Sequence, residues 1–229
     1  MKKNTALAVL TAFCVFAQFA PGVIYGEIIT EMTEPHYNSL LAQAEMWRDV
    51  IAADEKSFYP AFAAAGIQNG MYVVFFRFQP PGTEPVNFHG RHFSVMFDSG
   101  SNLVGMVRIR PEWVGMNAAS ERRAADMALL FIRRFTPGLW RFRNSQRLEA
   151  RSIEVKRESG ESAVIETMMS FFYDDRRQSG FSVTVAPDGS VMAFERNVSP
   201  DAAKEGLVEG NWLYDTYLER VLKVWDNLP

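Results

Sequence analysis

Cysteine is nearly absent. The single one, Cys14, lies in an apolar N-terminal stretch. The rest of the chain therefore has no disulfide, no thiol nucleophile and no thiolate metal site. Histidine is scarce too, with only His36, His89 and His92. His89 and His92 have metal-ligand spacing, but residues three apart on a strand point to opposite faces, so no metal is expected there. A solvated or hydrogen-bonded histidine is expected instead. The motifs of catalysis and nucleotide binding are also missing. No G-x-S-x-G elbow, phosphate loop or G-x-G-x-x-G fingerprint occurs. "DSGSN" at 98–102 lacks the ligand spacing of a calcium loop. Asp174-Asp175 runs straight into Arg176-Arg177 and reads as a solvated charge cluster. An enzyme is not expected, nor a cofactor. Beyond the N-terminus no apolar run approaches the ~20 residues of a membrane span.

Aromatics, by contrast, are abundant. The 229 residues include 18 Phe, 7 Tyr and 5 Trp, and 48% are hydrophobic. That composition supports a sizeable core in one folded domain or two small ones. The N-terminus reads as a secretory signal peptide over residues 1–26. Lys2-Lys3 comes first, then an apolar stretch from Ala6 to Ala20, then Pro21-Gly22. Cleavage is expected after Gly26, with Ala20 as the alternative and an uncleaved anchor as the competing reading. A periplasmic or secreted location follows. Removing that segment leaves 22 basic against 27 acidic residues, a net of −5. This is an ordinary soluble surface with no nucleic-acid character.

The remaining chain reads as α+β. Leu40, Ala44, Trp47 and Ile51 mark one face of a first helix. "SFYPAFAAAG" is expected to form a short second helix ending at Gly66. "GMYVVFFRF" at 70–78 reads as a buried strand, followed by strands at 86–98 and 102–111. A further helix carries Ala125, Ala128, Leu129 and Ile132 on one face, capped by Asn117 or Ser120. Four antiparallel strands follow it as a meander. "HFSVMFDSGSNLVGMVRI" at 92–109 resembles "GFSVTVAPDGSVMAFERN" at 180–197. The chain is therefore expected to contain two tandem repeats of a helix followed by a meander, over 27–115 and 116–198. Phe93 with Val95, and Phe181 with Val183, should face the helix of their own repeat, with Ser94 and Ser182 on the other side. Residues 199–229 should add a C-terminal helical segment with a stripe of Leu213, Tyr217, Val221 and Val224, docked on the second sheet or across both repeats.

The helix "SERRAADMALLFIRRF" and the strands "SFFYDDRRQSGFSVTVAPDGSVMAFERN" carry a family likeness. Over about 117–197 the chain resembles the PepSY-like repeats of bacterial cell-envelope proteins, of the YcdB/YcdC type. That resemblance implies a non-catalytic module that binds or inhibits a partner. It transfers no catalytic residue.

One stretch stands out chemically. Arg133, Arg134, Arg141, Arg143 and Arg147 occur with Trp140 and Phe142 between them and no acid. Arginine with aromatics suits contact with an anionic partner, here an envelope protein or an anionic envelope component. Alternatively, the arginine stems cover the edge of the core and their heads pair with the acidic remainder. The function expected is an exported, non-enzymatic binding or regulatory module of the envelope. The alternative is a small-ligand binder or enzyme with a pocket between helix and curved sheet.

Overall fold

The computed structural model describes residues 34–68, 71–82, 90–157, 161–174, 179–198, 213 and 215. The expected signal peptide, His89, Asp175 and nearly all of the expected C-terminal helical segment lie outside them, and the side chain of Asp174 is not described. The architecture is α+β, and the chain divides into two compact units. Among the described residues, the first holds 34–82, 92–103, Leu213 and Asp215; the second holds 90–91 and 104–198.

In the first unit, helix α1 (Glu34–Ile51) is followed by β1 (Tyr59–Gln68), β2 (Met71–Gln79) and β3 (His92–Asp98). The strands pair antiparallel in chain order. The expected helix through "SFYPAFAAAG" is instead strand β1. Its alanines favour helix intrinsically, but that preference is weak against a full ladder of tertiary pairing. Ala63, Ala64 and Ala65 lie opposite Phe76, Phe75 and Val74, where small side chains leave room for large ones. A register shift between Pro60 and Phe62 accommodates the missing N–H of the proline.

Both faces of β2 and β3 are covered. One face carries Val74, Phe76 and Phe78 beside Phe93, Val95 and Phe97, all buried. It meets α1: Tyr37 lies 5.6 Å from the Phe76 ring, and the Arg48 guanidinium sits 5.0 Å above Phe78. The opposite face carries Phe75, Arg77, Gln79, His92, Ser94 and Met96, which are buried as well. Ser94 thus points away from the helix, as the alternation requires, but not into solvent.

The second unit takes in β4 (Leu103–Ile109) from Val104 onward, then helix α2 (Glu121–Phe135), and β5 (Arg147–Lys156), β6 (Ser162–Asp174), β7 (Ser179–Val185) and β8 (Val191–Val198) follow. These last four form the expected meander, and β4 pairs with β8, giving the order β4-β8-β7-β6-β5. Ser120 is the N-cap of α2, its Oγ accepting from the N–H of Arg123. The buried stripe is Ala124, Ala128, Phe131 and Ile132. It is rotated from the expected one: Ala125 and Leu129 are only half-buried. Phe131 lies 5.2 Å from Phe194, which in turn meets Phe181 at 6.4 Å. Phe181 therefore faces its helix, while Ser182 faces the other way and is buried.

The two hairpin turns have one geometry. The N–H of Ser101 bonds the carbonyl of Asp98, and the N–H of Asp98 bonds that of Asn102. Likewise Gly189 bonds Ala186, and Ala186 bonds Ser190. Each turn places its fourth residue in the left-handed region, Ser101 at φ 61° and Gly189 at φ 83°.

Candidate functional site

The basic-aromatic stretch lies wholly in the second unit. Arg133 and Arg134 form the last turn of α2, where positive charge meets the negative end of the helix dipole. Pro137 opens a 3₁₀ segment, Pro137–Ser145, that carries Trp140, Arg141, Phe142 and Arg143. Arg147 then begins β5. The segment is anchored at several points. Phe142 packs edge-on against Phe181 at 6.0 Å. Ser145 Oγ donates to the carbonyl of Phe142 and accepts from the N–H of Tyr173. Gln146 Nε2 donates to Ser170 Oγ on β6 and to the carbonyl of Ala125 on α2.

On this anchored backbone the guanidinium groups stack on aromatic rings. Arg134 lies 5.0 Å from Phe135, Arg141 4.7 Å from Phe142, and Arg143 5.5 Å from Trp140. Stacking holds each charge in place and leaves guanidinium N–H groups for a ligand, while Arg143 Nη1 also donates to the carbonyl of Trp140 at 3.5 Å. Arg133, Arg134, Arg141, Arg143 and Arg147 are all exposed. Among the described residues none of the five pairs with a carboxylate; the neighbouring ion pair joins Arg151 to Glu149.

Two polar clusters went unread in the sequence. In the second unit, Trp113 Nε1 donates to Asp188 Oδ2 at 3.0 Å, and the backbone N–H and Oγ of Ser190 donate to Asp188 Oδ1. Partial burial pushes the Asp188 carboxyl up. The Ser190 and Trp113 hydrogen bonds and the charge of Arg108 outweigh that and hold it below its ordinary value. In the first unit, Arg77 on β2 is ion-paired with Asp215, with His92 beside both. The C-terminal segment was expected on the second sheet or across both repeats, but Leu213 and Asp215 belong to the first unit, and Leu213 is fully buried. His92 is a buried histidine among polar partners. No group of three or more potential metal ligands occurs among the described residues.

No family model, curated protein or solved structure matches this chain.

The turn at 98–102 has a structural role. Asp98 Oδ1 accepts from the N–H groups of Gly100 and Asn102, both at 2.9 Å, and so closes the hairpin bend. No helix among the described residues is long and apolar enough to cross a membrane.

Proposed function

We propose that this protein is an exported, non-enzymatic binding or regulatory module of the bacterial cell envelope, built from two PepSY-like repeats of helix and meander. On this reading the second unit engages an anionic partner through Arg133, Arg134, Arg141, Arg143, Arg147 and Trp140. The observation that carries it is the set of exposed guanidinium groups, three of them stacked on rings, with no carboxylate partner among the described residues. Duplication is supported by register. Phe78 pairs with Phe93 as Phe172 pairs with Phe181, and both hairpins close with the same turn. The alternative pocket between helix and sheet finds aromatic side chains in that space, Phe76 under α1 and Phe131 against Phe194 under α2.

The test is a tryptophan-fluorescence titration with vesicles of anionic phospholipid and, separately, with polyglutamate, at low and high salt. Binding to at least one of them should weaken with salt. It should drop severalfold in an Arg141→Ala/Arg143→Ala variant that melts like the wild type. Equal signals from the variant and the wild type with both probes would defeat the reading.

A further inference from the structure

The first unit buries a guanidinium where the second shows that none is needed. Arg77 is 0% exposed and lies opposite Ser94 on β3. The next pair along is Phe78 with Phe93. In the second unit, the pair beside Phe172 and Phe181 is Phe171 with Ser182. The residue preceding Phe93 is His92; the residue preceding Phe181 is Gly180, over which the Phe171 ring lies. The same register thus carries Arg77 and His92 in one unit and an aromatic ring over glycine in the other. Taking an arginine out of water is costly unless its charge is met, so the sheet alone gives no reason for Arg77.

One carboxylate that meets that charge comes from far along the chain. Asp215 pairs with Arg77 from 138 residues away. Its side chain keeps 13% exposure, against 0% for Arg77 and 1% for His92. His92 Nε2 lies 3.4 Å from Arg77 Nη2, and His92 Nδ1 lies 3.9 Å from Asp215 Oδ2. The Ser94 hydroxyl, also on this face, is fully buried and has no hydrogen-bond partner among the described residues. Arginine, imidazole and a spare hydroxyl on one sheet face form a donor set for a carboxylate.

We propose that Arg77 and His92, with the Ser94 hydroxyl as a further donor on the same face, form a carboxylate-binding site that the chain's own Asp215 occupies through Arg77 and that a carboxylate from outside can take over. The first unit is then a recognition unit in its own right, independent of the basic surface of the second. The test is chemical rescue in the full-length protein. Asp215→Ala should lower the Tm, and sodium acetate should restore most of the loss in a saturable way. Sodium chloride and sodium phosphate at matched ionic strength should restore much less. Acetate should not stabilise the wild type, nor an Arg77→Met/Asp215→Ala variant. Should Asp215→Ala not fold, Asp215→Asn serves, read by acetate-dependent shifts of the His92 ring resonances. Equal responses to the three salts, or no shift of His92 with acetate, would overturn the proposal.

Discussion

Truncating Phe181 to alanine tests the packing of the second unit at its centre. The side chain is 4% exposed and meets three rings. Phe172 stacks on it at 4.8 Å and 9°, Phe142 meets it at 6.0 Å and 66°, and Phe194 at 6.4 Å and 54°. Removing a buried phenylalanine typically costs about 3–5 kcal/mol, from lost burial and the cavity left behind. With about 2–4 °C of Tm per kcal/mol for a chain of this size, Phe181→Ala should melt about 6–20 °C lower. A double-mutant cycle with Phe172→Ala isolates the stacked pair and should give a coupling of about 0.5–1.5 kcal/mol. Leu130→Ala is the control, because Leu130 lies on α2 with 55% exposure; it should shift stability by no more than about 0.5 kcal/mol. Circular dichroism melts and urea titrations read the four variants against the wild type. If Phe181→Ala melts within a degree or so of wild type, Phe181 is not at the centre of this core, and the register of β7 against β6 is wrong with it.

Three further outcomes are expected. Gly180→Ala should destabilise by about 1–3 kcal/mol through overpacking, because an added Cβ would lie 2.3 Å from the Phe172 carbonyl oxygen and 2.6 Å from the Phe171 ring; an unchanged urea midpoint would contradict this. At the twin turns the signs should oppose: Ser101→Gly stabilises and Gly189→Ala destabilises, each by about 1 kcal/mol, as left-handed backbone favours glycine. Like-signed shifts would refute the shared geometry. Asp188 has a depressed carboxyl pKa, so its contribution is complete above the ordinary value of 3.8 and is lost as pH falls through the folded-state value. Urea midpoints against pH should therefore show a shallower acid limb for Asp188→Asn than for wild type, and superimposable limbs would contradict the assignment.

Much of the fold was legible because its strands announce themselves. β2 and β6 to β8 are rich in β-branched and aromatic residues and bounded by turn signals, and they and the more charged β5 lie where expected. β1 was misread because Ala63, Ala64 and Ala65 carry helix propensity, while the bulky partners that fix them lie in β2. The stripe of α2 was rotated because Phe131, rather than Leu129, reaches the sheet. The basic surface was visible as composition; the ring stacking that arranges it was not. The Arg77 cluster left one local trace, a charge inside the apolar run "VVFFRF". Nothing local connects it to Asp215, because that contact exists only once the chain has folded.

The pairing of β4 with β8 has a consequence for the order of folding. Gly105 meets Glu195 about 90 residues later in the chain. The strands β5 to β8 can assemble by successive hairpins, each closing a short loop quickly. β4 must wait for the last of them. At synthesis rates of about 5–20 residues per second, it spends several seconds with its Gly105-Met106-Val107 edge unpaired. During that interval the strand can add to any other open edge. A chaperone that holds the nascent chain extended would thus protect β4 above all, and crowding of newly made chains would be felt first there.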